Sequence, residues 1–175
     1  MFKYIIIILF TLNSFAQSVE GKVVAITDGD TFKLLQKDST LVRVRVANID
    51  CPERKQPFSK RAKQFTSDAI FSKNVELKVL KKDRYGRSIA YVFYNNKNLG
   101  EELLKAGLAW HYVKYSDDES LQNLEDKARE KKVGLWSDPN AIAPWDWRSQ
   151  KKSKHENAIN QIFTFFSRTF FFILR

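Results

Sequence analysis

Three short stretches of this chain carry acids and guanidinium groups in turn-like settings. They are Asp28-Gly29-Asp30-Thr31, then Arg45 with Asp50-Cys51-Pro52-Glu53, then Asp83-Arg84-Tyr85-Gly86-Arg87. Each has a bland reading when taken singly. Asp-Gly is ordinary turn chemistry, and charged residues at strand ends are usually just solvated. From these stretches, the carboxylates of Asp30, Asp50 and Glu53 and the guanidiniums of Arg45 and Arg87 are the candidates for chemistry. A guanidinium fork matches phosphate oxygens and stays charged at any working pH. Carboxylates can hold a hard cation or accept a proton from water. The chain has two histidines, His111 and His155, and one cysteine, Cys51. A histidine base or a His/Cys zinc site is therefore hard to build, and no internal disulfide can form. Glu53 is the obvious base, ionised at neutral pH but weak, with a free pKa of about 4.3.

These residues need rigid elements to bring them together. Val19–Thr27 reads as a strand, Asp28-Gly29 as a turn pair, and Thr31–Leu35 as the returning strand of a hairpin. Leu41–Ile49 alternates valines 42, 44 and 46 with Arg43 and Arg45, so the arginines share one face of a third strand. Pro52 stiffens the turn that follows. Residues 58–72 form a helix with an apolar stripe of Phe58, Ala62, Phe65 and Ala69. Val75–Leu80 and Ser88–Tyr94 are two more strands, joined by the turn at 83–86.

The second half reads as helical. Asn98 with Glu101 looks like a capping box, and Gly107 suits the stop. Ser116 with Glu119 marks a second start. Leu121, Leu124 and Ala128 continue as a stripe, and Gly134 ends it. Pro139, Pro144 and tryptophans 136, 145 and 147 suggest an ordered but irregular cover. Periodicity supports an α+β chain with five short strands and about three α-helices. An OB-type Greek-key barrel is the architecture that suits this pattern.

Of 175 residues, 30 are Lys or Arg against 20 Asp or Glu, for a net charge of +10. Such a domain prefers polyanions, either nucleic acid or an anionic membrane surface. Lys3, the uncharged run Tyr4–Leu12 and the small residues of Ser14-Phe15-Ala16 read as an export signal with cleavage after Ala16. The expected destination is secreted or periplasmic, with an uncleaved anchor as the variant reading. The expected division is signal 1–16, domain 17–148 and a basic, Phe-rich tail 149–175. At 13 residues, the tail's run Ile162–Leu174 is short for a membrane span. Docking on the domain, contact with a membrane surface and a poorly ordered end all remain open for it.

The combination of Asp28-Gly29-Asp30-Thr31, Arg45, Asp50-x-Pro52-Glu53 and Tyr85-Gly86-Arg87 resembles the staphylococcal nuclease (thermonuclease) family in order and spacing. Gln56-Pro57-Phe58, Ala106-Gly107-Leu108-Ala109 and Gly134-Leu135-Trp136 add to the likeness, which covers roughly residues 18–148. The specificity lies in the combination, since each motif is weak alone. The resemblance implies the five-stranded OB-type barrel. It implies calcium on Asp30, Asp50 and the backbone carbonyl of Cys51; donor types alone do not separate calcium from magnesium. It implies Glu53 as general base, and Arg45 and Arg87 as phosphate-binding catalytic arginines. Arg84, Tyr85 and Tyr115 resemble substrate-binding residues. Val113 stands where the family has a second tyrosine.

The implied activity is calcium-dependent hydrolysis of DNA and RNA, single-stranded or breathing, at the 5′ oxygen with 3′-phosphate ends. The protein would be a monomer, with no stable protein partner. A non-catalytic OB-type nucleic-acid-binding module is the alternative. A cationic, membrane-active protein is a third reading, which leaves the carboxylate spacing unexplained.

Overall fold

The computed structural model describes residues 18–153 together with residues 156 and 159. The expected export signal and the phenylalanine run of the tail lie outside the described residues. The strands are β1 (Ser18–Asp28), β2 (Thr31–Gln36), β3 (Leu41–Val46), β4 (Ile49–Asp50), β5 (Asn74–Lys82), β6 (Ser88–Tyr94), β7 (Lys97–Asn98) and β8 (Trp110–His111). The main sheet runs β3-β2-β1-β5-β6-β7, and a parallel pairing of β3 with β6 closes it. Five strands thus make a closed barrel, which removes the sheet edges. The fold is the expected α+β, OB-type architecture.

Period two explains the inside of the barrel. Val23, Phe32, Leu34, Val44, Val46, Leu77, Ala90 and Val92 are buried, while Arg43 and Arg45 take the outward positions of β3. Each fully buried large apolar side chain contributes about 1.5–3 kcal/mol of transfer free energy.

Helix α1 (Ser59–Ile70) packs on β1. Its buried line is Ala62, Thr66 and Ile70, with Phe58, Phe65 and Ala69 only partly buried. The stripe is therefore centred one residue away from the expected one. Thr66 is tolerated there because its hydroxyl donates to the Gly29 carbonyl. Helix α2 (Leu99–Lys105) starts at Asn98, whose side chain accepts from the Gly100 N–H and not from Glu101. Gly107 follows the helix with φ +61°. A Cβ there would lie 2.1 Å from the Val133 carbonyl oxygen, so both backbone shape and space require glycine.

Helix α3 (Glu119–Glu130) is capped by Asp118 and not by Ser116. It ends four residues before Gly134, with Lys132 left-handed at φ 52°. Gly134 instead opens a 3₁₀ turn, Gly134–Ser137. The region expected to be irregular also differs: residues 144–153 form a fourth helix, α4, entered at Pro144. Proline suits a first helical position, where its missing N–H costs nothing. The helix runs across the expected boundary at 148/149. Trp110, Ala128, Leu135 and Trp136 form a second small core, against which Trp145 of α4 packs.

Candidate active site

The acids gather at one end of the barrel. Asp30 lies in the Gly29-Asp30 turn between β1 and β2, one residue beyond the expected turn pair and off the strand proper. Gly29 is needed for close approach: a Cβ there would stand 2.8 Å from the Ala62 Cβ and 3.0 Å from the Cys51 Cβ. The turn is therefore pressed between α1 and the chain leaving β4. Asp30 accepts from the Cys51 N–H (2.8 Å) and the Thr31 hydroxyl (2.9 Å).

Arg45 comes off the outward face of β3 and spans two carboxylates. Its Nη1 is 2.6 Å from Asp30 Oδ1, and its Nη2 is 2.7 Å from Asp50 Oδ1. Asp50 is held by the β4–β8 pair, opposite Trp110. Its side chain is 1% exposed. Glu53 follows on the loop. Its N–H donates to Gln56 Oε1 (2.9 Å), and the buried Gln56 amide donates in turn to the Ile142 carbonyl (2.6 Å).

The structure adds a residue that sequence reasoning missed. Arg148 of α4 donates through Nη1 to Glu53 Oε1 (2.5 Å) and through Nη2 to Asp50 Oδ2 (2.8 Å). Asp30, Arg45, Asp50, Glu53 and Arg148 thus form one continuous ion-pair network. Only Glu53 and Arg148 are substantially open to solvent, with side chains 38% and 40% exposed.

The two aspartates differ electrostatically. Burial pushes the Asp30 carboxyl upward, but Arg45 and the Cys51 N–H outweigh it and hold the group below its ordinary value. Burial raises Asp50 above its ordinary value, and the neighbouring Asp30 charge adds to this, although Arg148 and Arg45 oppose it. A depressed Asp30 stabilises the fold above the unfolded-state pKa of about 3.9, and that stability is lost as pH falls through the folded value. A raised Asp50 has the opposite sign: its ionised form costs stability once pH exceeds its raised value. At pH 7 in EDTA, Asp30→Asn should lower stability by about 3–5 kcal/mol, since it breaks a buried pair. Asp50→Asn should cost less, because burial already disfavours its charge. Thermal or urea melts decide this, and equal losses for both variants would contradict the assignment.

The donor set can be tested against a hard cation. Asp30 and Asp50 offer hard carboxylate oxygens, and the Asp30 charge raises the Asp50 carboxyl, a repulsion that a dication would relieve. Burial lifts the Cys51 thiol well above its ordinary value, so a thiolate ligand is disfavoured and only its carbonyl remains. No group of three or more His, Cys, Asp or Glu side chains stands ready for a metal among the described residues. Two carboxylates and a carbonyl completed by outside oxygens would suit calcium or magnesium and not zinc; in this structure Arg45, Arg148 and the Cys51 N–H engage the Asp30 and Asp50 oxygens.

Arg84, Tyr85 and Arg87 form a second group. Asp83 pins Arg87, accepting its Nε–H (2.7 Å) and its backbone N–H (2.9 Å). The guanidiniums of Arg84 and Arg87 lie 4.8 and 5.6 Å from the Tyr85 ring centre. Among the described residues no hydrogen bond joins this group to the acids. Strand register relates them instead: Arg45 pairs with Ile89, and Arg87 immediately precedes β6, in the turn that enters it. Ile89 also pairs with Lys81, whose ammonium is 5.9 Å from the Tyr115 ring centre. Tyr115 and Val113 are both exposed. Tyr112 packs edge-on against Tyr115 and stacks on Trp145.

Comparison with known proteins shows the family. Residues 43–138 match the family model described as staphylococcal nuclease homologue. The chain is 40% identical over 149 residues to an uncharacterized endonuclease of Haemophilus influenzae, covering 84% of each chain. It is 38% identical over 144 residues to a micrococcal nuclease of Shigella flexneri, covering 76% of this chain and 82% of that one. It is 35% identical over 154 residues to an uncharacterized endonuclease of Escherichia coli, covering 86% of this chain and all of the relative. A closed five-stranded barrel with acids and arginines at one end, matched over most of its length by such relatives, belongs to the staphylococcal nuclease family.

Proposed function

We propose that this protein is an exported, calcium-dependent nuclease that hydrolyses phosphodiester bonds of DNA and RNA at the 5′ oxygen, leaving 3′-phosphate ends. One observation carries the reading: the Arg45 fork bridges Asp30 and Asp50, with Glu53 tied to the same network through Arg148. The relatives named as endonucleases and as micrococcal nuclease support it.

Glu53 is the most exposed acid of the network and takes the proton of the attacking water. Arg45 and Arg87 offer N–H groups to the phosphate oxygens on which charge gathers. Asp30, Asp50 and the Cys51 carbonyl would hold calcium, which supplies Lewis-acid polarisation of a phosphoryl or water oxygen. Tyr85 and Tyr115, both exposed and flanked by cations, suit stacking on unpaired bases. Phosphate-directed contacts carry little sequence information, so cleavage should have low sequence specificity.

The test uses the full chain on denatured DNA and on RNA. Calcium should support release of short fragments with phosphatase-sensitive 3′ ends. EDTA should stop release, and raised salt should slow it through phosphate screening. Binding without cleavage at any calcium level would favour the non-catalytic module. Cleavage that survives EDTA would overturn the calcium assignment.

A further inference from the structure

We propose that Arg148 is a positioning residue for the cleavage reaction, fixing Glu53 against Asp50 from outside the barrel. The proposal rests on the nuclease reading and deepens it. Glu53 sits on a loop after a two-residue strand, and its side chain is 38% exposed. Left alone, such a carboxylate would sample several rotamers. A general base must stand within hydrogen-bond reach of the water it deprotonates, and a misplacement of about 1 Å can cost 100-fold in rate. Arg148 removes that freedom. One nitrogen holds Glu53 Oε1 at 2.5 Å while the other holds Asp50 Oδ2 at 2.8 Å, so the rigid fork sets the spacing of the two acids.

The fork is itself anchored. Helix α4 is entered at Pro144, and its Trp145 ring stacks on Tyr112 at 5.1 Å with planes 8° apart. The residues just before the helix are tied to the Glu53 loop by Gln56, which bonds the Glu53 N–H and the Ile142 carbonyl at once. Helix and loop are therefore linked twice, through Gln56 to the Glu53 and Ile142 backbones and through the Arg148 side chain to Glu53 and Asp50. The half-exposed Arg148–Glu53 pair adds little to stability, and the buried Asp50 keeps Arg45 as a partner when Arg148 is removed. The effect of losing Arg148 should fall on the reaction.

The experiment compares kcat, KM and melting temperature of the full-length wild type, Arg148→Ala and Arg148→Lys on denatured DNA. Arg148→Ala should fold, keep its KM within about threefold and lose about 10–100-fold in kcat. Arg148→Lys restores the charge but has no planar fork, so it should remain clearly below wild type. Guanidinium ion added at concentrations too low to unfold the protein should partly restore Arg148→Ala and should not restore Glu53→Gln. Wild-type kcat in either variant would overturn the proposal. So would a rise in kcat, which would mark Arg148 as a brake, or a loss confined to KM. If Arg148→Ala fails to fold, the kcat of Arg148→Lys decides. A wild type that cleaves neither DNA nor RNA would overturn the nuclease reading itself, which separates that failure from failure of the Arg148 role.

Discussion

Glu53→Gln should leave a folded protein that still binds a nucleotide and cleaves DNA about 10²–10⁴-fold more slowly, the range lost with a general base. Glutamine matches glutamate in shape, and its Oε1 can still accept from Arg148 Nη1. The Gln56 contact uses only the Glu53 backbone and survives unchanged. Because the side chain is 38% exposed and its partner 40% exposed, stability should move by less than about 1 kcal/mol. On the proposed reading the arginines carry phosphate affinity, which should persist. Single-turnover cleavage and nucleotide-binding titrations separate the two effects. A rate within a few-fold of wild type would remove Glu53 from the base role.

Arg45→Ala should be the most damaging change to both fold and activity. Arg45 is the shared partner of two carboxylates whose side chains are 5% and 1% exposed. Removing one member of a buried pair costs about 3–5 kcal/mol, because the other charge is left uncompensated. Here two charges lose their partner, and only Asp50 retains another, Arg148. Arg45→Lys should rescue little, because a single ammonium cannot span Asp30 Oδ1 and Asp50 Oδ1 as the fork does. Urea titration in EDTA measures the loss. If calcium sits between the same two acids, adding it should recover part of the lost stability in Arg45→Ala, through mass action on the folded state. A stability loss below about 1 kcal/mol would mean that the pair is not structurally important.

A different balance of burial against hydrogen-bonded partners explains why the raised Asp50 and the depressed Asp30 coexist 20 residues apart in one network. Asp30 has a backbone donor of its own and one dedicated arginine contact. Asp50 is less favoured despite its partners, because burial outweighs them. Such an acid is costly to keep ionised, in line with the tendency of perturbed carboxyls to cluster at functional sites.

Much of this protein was legible from local chemistry. Strand alternation placed the valines of β3 inside and Arg43 and Arg45 outside. Turn residues located the hairpins, and acids and arginines at fixed spacing pointed to phosphate chemistry. Helix starts were less secure, because Ser116 and Asp118 are both good caps and only the packing of α3 chose Asp118. Glu125 had no signal at all. It is buried in α3 because it accepts the His111 backbone N–H, 14 residues away.

Arg148 shows the limit most plainly. Its partners Asp50 and Glu53 lie 98 and 95 residues earlier in the chain. Periodicity and turn propensity report only on neighbours within a few residues. Amino-acid types and their local spacing therefore determined the five main strands and the α+β class, and the family resemblance supplied the barrel. Only the closed barrel, with α4 docked through Trp145 on Tyr112, decided that a guanidinium from the far end of the domain would sit between Asp50 and Glu53. Contacts of that kind are selected by packing of distant surfaces, which no local pattern encodes.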